Sequence, residues 1–345
     1  MSIKRALLSV YNKEGIVEFG KFLTENGAGI VSSGGTSQTL RDGGVQTFDV
    51  SDLTGFPEMM GGRVKTLHPK IHGGILAKRS QKEHMDQAQD MGISMIDLVA
   101  VNLYPFEEVI KKPDCTLEEA IENIDIGGPT LLRAAAKNYQ NVVVISNPKN
   151  YSIVMDEISK EGGVSEETRR KLALETFSYI THYDNVIENY LRSQFSPEEK
   201  TPEYLNLTFK KIQNLRYGEN PMQQNAAFYS DPQFGGCSIA TSKQLQGKEL
   251  SYNNILDMNG AFALLKQFKE PTVVIVKHNN PCGVATDSDL VKAYHKALAV
   301  DSEAAFGGIV CVNREVDENL ANEIITRFYE VVVAPSFSSK ALEVF

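Results

Sequence analysis

Residues 61–78 read Gly-Gly-Arg-Val-Lys-Thr-Leu-His-Pro-Lys-Ile-His-Gly-Gly-Ile-Leu-Ala-Lys, with Arg63, Lys65, Thr66, His68, Lys70 and His72 between glycine pairs and no acid among them. A solvated charge run carries both signs and a core segment shows sustained apolar periodicity, so this composition points to a loop that holds an anion. A plain basic surface loop explains the same residues, and what else gathers beside it decides between the two. Ser33, Gly34, Gly35 and Thr36 lie where an apolar run ends and a helical one begins. Small residues there leave backbone N–H groups facing one point, which suits a phosphate. An ordinary turn with Thr36 as helix N-cap is the alternative. Lys13, just after the first apolar run, adds a cation at the same kind of strand end, where ligands of parallel sheets bind.

Two more segments bring polar groups to strand or helix ends. Asn102-Leu-Tyr104-Pro follows an apolar run, although Tyr104 also fits as a core aromatic with a satisfied hydroxyl. Asp125-Ile126-Gly127-Gly128-Pro129 is a helix-start pattern whose exposed N–H groups can hold an oxyanion; otherwise Asp125 is simply an N-cap. Lys137 suits proton transfer with Asp125 only if the fold brings the two together. Later, Arg216-Tyr217-Gly218 is a polar turn, and Lys277-His278 closes a strand. A histidine beside a lysine can work as a general base with a neighbouring cation, or be a satisfied buried imidazole. Pro281-Cys282 begins a deaminase-type zinc pattern, but Ala285 stands where its second thiol belongs, so no metal is expected.

The elements that must position these groups are legible in outline. Residues 6–11 and 29–32 read as strands around a helical stripe over 14–25, which makes a parallel βαβ unit. Residues 98–102 and 142–145 are short apolar runs of the kind found in a sheet covered on both faces. Thr116 opens a helix with a capping-box pattern, 131–137 is alanine-rich and helical, and Ser165 caps a long helix over 166–191. The first domain is therefore expected to be a three-layer α/β sandwich. Two prolines and several charges over 195–202 place a boundary there, and strands at 273–276 and 309–312 with helices at 289–298 and 317–329 make the remainder α/β as well.

Composition narrows the class. At 345 residues and 42% hydrophobic, the chain has room for two cores, and a net charge of −9 opposes general nucleic-acid binding. Four scattered cysteines without a C-x-x-C pair suggest reduced thiols in a cytoplasm, and no apolar stretch reaches membrane length.

Together, Ser33-Gly-Gly-Thr36, Gly61-Gly-Arg-Val-Lys-Thr-Leu-His-Pro69, Asn102-Leu-Tyr-Pro105, Asp125-Ile-Gly-Gly128, Arg133-Ala-Ala-Ala-Lys137, Arg216-Tyr-Gly218, Lys277-His278 and Ala305-Phe-Gly307 closely resemble the bifunctional AICAR transformylase/IMP cyclohydrolase family. The resemblance runs over essentially the whole chain. It implies a methylglyoxal-synthase-like three-layer α/β/α cyclohydrolase domain over 1–197 and, over 205–345, an incomplete cytidine-deaminase-like α/β transformylase domain.

The first domain would close 5-formamidoimidazole-4-carboxamide ribonucleotide to IMP and water. By resemblance, Asn12, Lys13, Ser33, Gly34, Gly35, Thr36, Arg63, Val64, Thr66, Val101, Asn102, Ile126 and Gly127 bind the nucleotide, and Lys65, Tyr104, Asp125 and Lys137 carry the chemistry, with no metal or redox cofactor. His68 and His72 then pack the loop. In the second domain, formyl would pass from the co-substrate 10-formyltetrahydrofolate to AICAR, with His278 as base, Lys277 beside it, and Arg216, Tyr217, Gly307 and Glu330 at the nucleotide. Met222 replaces a usual family histidine and Glu330 a possible aspartate. Because family members continue well beyond position 345, cyclohydrolase without efficient formyl transfer is the expected activity, in a cytoplasmic homodimer when complete, with no nucleic-acid or membrane partner. A methylglyoxal-synthase-like regulatory module is the main alternative; it needs the phosphate loop but not Tyr104, Asp125 and Lys137 together.

Overall fold

A computed structural model describes residues 1–232 and 234–345, and the chain forms two compact units, Met1–Asn206 and Leu207–Phe345. In the first unit, β1 (Arg5–Val10), β2 (Gly29–Ser32), β3 (Phe48–Asp49), β4 (Leu98–Asn102) and β5 (Val143–Ile145) form an all-parallel sheet of order β3-β2-β1-β4-β5. Its central strands are buried on both faces, as their unbroken apolar runs require. The covering helices are α1 (Ile16–Glu25), α2 (Gly34–Asp42), α3 (Val50–Thr54), α4 (Pro69–Leu76), α5 (Lys82–Asp90), α6 (Phe106–Ile110), α7 (Leu117–Glu122), α8 (Gly127–Lys137), α9 (Tyr151–Glu161) and α10 (Glu166–Phe195). This is the three-layer α/β/α arrangement.

Strand order reverses between β1 and β4, so their carboxyl ends flank the crevice where such sheets take ligands. The opposite ends of the same two strands are joined by Asp97. Its Oδ2 accepts the Lys4 and Arg5 N–H groups at 2.7 and 2.8 Å, and its Oδ1 meets Arg79 at 2.6 Å. Asp97 is 5% exposed, so this carboxylate is in effect a buried clamp.

In the second unit, β6 (Lys210–Asn214) pairs with β7 (Ala227–Ser230), while β8 (Thr272–Lys277), β9 (Asn280–Thr286), β10 (Ile309–Val312) and β11 (Val331–Val333) form a mixed sheet of order β11-β10-β8-β9. Helices α11 (Tyr252–Leu265), α12 (Leu290–Val300), α13 (Glu318–Ile324) and α14 (Ser339–Val344) pack against it. Strand β9 is not evident from the sequence because it contains Pro281. As the sheet's edge strand, paired to β8 through an irregularity at Ile275/Val276, it tolerates a residue that cannot donate to a ladder.

Several helix bounds differ from the periodicity. The alanine-rich helix starts at Gly127 rather than Leu131, since glycines preceding Pro129 still adopt helical geometry; α10 runs on to Phe195; and α13 stops at Ile324, well short of Tyr329. Among the described residues no helix is long and apolar enough to cross a membrane.

Replacing Asp97 with Ala strands two backbone N–H groups and a guanidinium. The first unit's unfolding free energy should fall by about 3–5 kcal/mol, read as a lower urea midpoint. A loss under about 1 kcal/mol would mean that the clamp behaves as an ordinary surface ion pair.

Candidate active site

Five segments of the first unit converge at the carboxyl end of its sheet, and side-chain contacts tie each to the next. Asn102, closing β4, accepts the Tyr11 and Asn12 N–H groups on Oδ1 at 2.7 and 2.8 Å and donates from Nδ2 to the Asn12 carbonyl at 3.2 Å. Its amide is thus occupied in holding the β1 loop. The half-buried Lys13 bends back onto the Val10 and Tyr11 carbonyls, and burial lowers its pKa. Tyr104 is half exposed, and its ring meets that of Tyr11 edge-on with centroids 5.7 Å apart. Val101, one residue before Asn102, is buried in the core.

At the next strand end, the N-cap of α2 is Ser33, not Thr36. Thr36 is 3% exposed, and its hydroxyl accepts the Val10 N–H at 3.0 Å while donating to the Val10 carbonyl at 2.9 Å. A threonine inside the first turn finds its partners across the sheet, so Thr36 anchors α2 to β1 and can offer an anion only its main-chain N–H. Gly34, at φ 53°, and Gly35 are exposed ahead of it. The first turn of a helix leaves its N–H groups without intrahelical partners, which suits an anion.

The cation-rich loop reaches the same place. A Cβ on Gly34 would lie 3.5 Å from Lys65 Nζ, and one on Gly127 would lie 3.2 Å from the buried Thr66 hydroxyl. Val64 pairs with Met59 across the loop's base, at 3.1 and 3.4 Å. The sequence window holds no acid, yet the fold supplies two from outside it: Glu58 meets Lys65 at 3.0 Å and Glu122 pairs with Arg63. Carboxylates three-dimensionally close but distant in sequence leave no trace in a local pattern. His68 caps α4, its Nδ1 accepting the Lys70 N–H at 3.1 Å.

Asp125 faces the N-terminus of α8. Its Oδ1 accepts the Gly128 N–H at 2.8 Å, and the Tyr104 N–H also points to its carboxylate. Burial is the larger influence and raises its pKa, against the lowering by these two N–H groups. Ile126 is exposed at the helix start and Gly127 follows it. Lys137 is not part of this cluster. It ends α8, and the eleven residues of the helix put roughly 16 Å between it and the Asp125 end. Lys137 lines a different surface groove, with Arg133, Arg170 and Phe177. Within this chain Asp125 and Lys137 are therefore not brought together.

In the second unit, Lys277 and His278 form the β8–β9 corner. Lys277 Nζ donates to the Phe306 carbonyl at 2.7 Å; Gly307, at φ 73°, donates its N–H to Phe328; and the Glu330 N–H returns to Gly308. His278 and Asn279 both take left-handed backbone, at φ 53° and 58°. Asp257 of α11, which sequence reasoning missed, accepts both of their N–H groups at 3.1 and 2.7 Å. Arg216 stacks on Tyr217, 5.7 Å from its ring centroid, and reaches Asn254 of the same helix at 3.3 Å. Met222 is almost wholly exposed. No cluster of metal-ligating side chains is found among the described residues.

Known proteins match both units. The MGS-like domain family covers residues 15–130, and the AICARFT/IMPCHase bienzyme family covers residues 135–345. The bifunctional purine biosynthesis protein PurH of Acetivibrio thermocellus is 54% identical over 342 residues, 99% of this chain and 66% of the relative. PurH of Bacillus cytotoxicus is 52% identical over 341 residues, with the same shares. The chain thus spans 66% of the length of these curated relatives. A crystal structure of ForH is 33% identical with a TM-score of 0.52, covering 56% of this chain and 99% of that one. Since the second family match extends over more than half of the residues, the chain belongs to the AICARFT/IMPCHase bienzyme family.

Proposed function

We propose that the first unit is an IMP cyclohydrolase, closing 5-formamidoimidazole-4-carboxamide ribonucleotide to IMP and water. The observation that carries this reading is the convergence of the α2 N-terminus, Lys65, Thr66 and the raised-pKa Asp125 at the strand-order switch of one parallel sheet. Ring closure forms a bond from the carboxamide nitrogen to the formyl carbon. Each of the two nitrogens gives up a proton, and the formyl oxygen departs as water. Both reacting groups belong to one molecule, so holding it in a near-attack pose supplies much of the rate.

The N–H groups of α2's first turn, with Lys13, Arg63 and Thr66, would bind the 5′-phosphate and ribose. Lys65 and the N–H groups opening α8 would meet the charge that develops on the former formyl oxygen. Asp125, whose pKa burial raises, takes and returns protons as water leaves, and Tyr104 closes the pocket against Tyr11. Glu58 and Glu122 keep Lys65 and Arg63 in place until an anionic substrate competes for them.

For the second unit we propose the substrate-facing part of the formyl-transfer step, from 10-formyltetrahydrofolate to AICAR. His278 serves there as base and Lys277 as its cation, with Arg216, Tyr217, Gly307 and Glu330 facing the nucleotide. Support comes from the PurH relatives and from the Lys277–Phe306 and Asp257–His278 contacts, which fix the pair at a strand corner. A homodimer of the complete form and a cytoplasmic setting belong to the same proposal.

Asp125→Asn is expected to slow ring closure, followed by absorbance, by roughly 100-fold or more. The same substitution should raise the melting temperature at neutral pH. A carboxyl whose pKa is raised by folding contributes stability below its unfolded value and loses it as pH climbs through the folded one. The gain should therefore vanish in acid, and normal turnover by Asp125→Asn would remove Asp125 from the mechanism.

Arg63→Ala tests the phosphate grip. KM for the formamido nucleotide should rise about tenfold or more, the worth of one charge-assisted hydrogen bond, while kcat changes little. A fall in kcat at constant KM would place Arg63 at the reacting atoms instead.

A further inference from the structure

Two phenols on the outer helix α10, to which neither the resemblance nor the relatives assign a role, meet the main chain at Asp125 and next to Tyr104. Tyr179 and Tyr183 stand four residues apart on one face of that helix. The Tyr183 hydroxyl oxygen accepts the Asp125 N–H at 2.8 Å, and the Tyr179 hydroxyl oxygen accepts the Leu103 N–H at 3.0 Å. Leu103 immediately precedes Tyr104, whose own N–H points to the Asp125 carboxylate. Two segments that are 22 residues apart are thus hung from adjacent turns of a single helix, and the carboxylate lies between them.

We propose that Tyr179 and Tyr183 are a positioning pair for ring closure, holding the Leu103–Tyr104 and Asp125 main chains so that the carboxylate stays docked between the Tyr104 and Gly128 N–H groups. The inference rests on the cyclohydrolase reading for its kinetic arm only.

A phenol is suited to this task. Each buried N–H needs an acceptor, and a neutral hydroxyl supplies one without putting a second negative charge beside Asp125. Both phenols are kept neutral, chiefly by burial, with the Asp125 charge acting in the same sense; for Tyr183 the pKa is pushed up to about 12. The other carboxylate felt by Tyr183 is Asp184 on the same helix. Phe106, at the start of α6, packs edge-on against both Tyr183 and Tyr190, with centroids 6.4 and 5.6 Å away. Rigid aromatic contacts therefore fix the Tyr183 ring, while its oxygen alone reaches the Asp125 segment.

The test removes one oxygen at a time, in the full chain, with Tyr183→Phe, Tyr179→Phe and the packing control Tyr190→Phe. Three readouts are needed: melting temperature, ring-closure kinetics against pH, and the titration of the Asp125 carboxyl carbon by NMR with labelled aspartate, assigned by its loss in Asp125→Asn. Without its acceptor the Asp125 N–H turns to water and the segment swings outward, so the carboxyl gains hydration. The expected result for Tyr183→Phe is a fall in kcat of about tenfold or more with KM little changed. Its Asp125 midpoint and the acid limb of the rate profile should both move down toward the ordinary carboxylate range. Tyr179→Phe should act in the same direction, and Tyr190→Phe should change none of these.

An Asp125 midpoint unmoved in both folded Phe variants overturns the proposal whatever the kinetics show. If Asp125→Asn proves fully active while the Phe variants shift the midpoint, the pair positions Asp125 but the cyclohydrolase role of Asp125 fails. If Tyr183→Phe does not fold, Tyr179→Phe decides the matter through the same midpoint.

Discussion

The pairing of β1 with β4 is the constraint on which the first unit depends, and side chains flanking β4 fix it at both ends. Before the strand, Asp97 takes the Lys4 and Arg5 N–H groups; at its end, Asn102 takes those of Tyr11 and Asn12. A parallel pair gains no help from a tight turn, because its strands are joined only through a long crossover. Here 87 residues separate the end of β1 from the start of β4. Polar side chains that reach across at both limits of the register stand in for the missing turn. A one-residue slip would put Asn102 opposite the wrong peptides and disperse the loop ends that form the crevice.

With that register set, the electrostatics of the crevice follow from where helices begin. α2 and α8 both start at its rim, so partial positive charge from two first turns faces the same space. Thr36 locks the first of these to β1, and Asp125 caps the second. Burial raises the pKa of this carboxylate, and the N–H groups of Gly128 and Tyr104 temper the rise by favouring its ionised form.

How much of this was legible in the sequence depends on the range of each interaction. Strands whose residues are buried on both faces were plain from unbroken apolar runs, and Ser165 and Thr116 announced their helices because a cap acts within three residues. Glu58, Glu122, Asp257, Tyr179 and Tyr183 were not legible as site residues. Each acts on a main chain or cation that is near only after folding, and a tyrosine in an amphipathic helix is indistinguishable from core packing. The alternative of Thr36 as a local cap gives way for a related reason: its hydroxyl could cap locally, but its partner in space is Val10. The separation of Lys137 from Asp125 was implicit in the sequence, because a helix long enough to be recognised is also long enough to hold its two ends apart.

The second unit shows the same use of a carboxylate to fix main chain, under greater strain. His278 and Asn279 turn β8 into β9 in the left-handed region, which costs a non-glycine residue about 1–2 kcal/mol each. Two glycines would make that corner freely but would forfeit the imidazole. Asp257 accepts both N–H groups, so the strained conformation is the one in which neither donor is orphaned, and Lys277 is held from the other side by the Phe306 carbonyl. The strained corner is thus stabilised by partners that a relaxed loop would not meet, while the His278 side chain itself stays exposed.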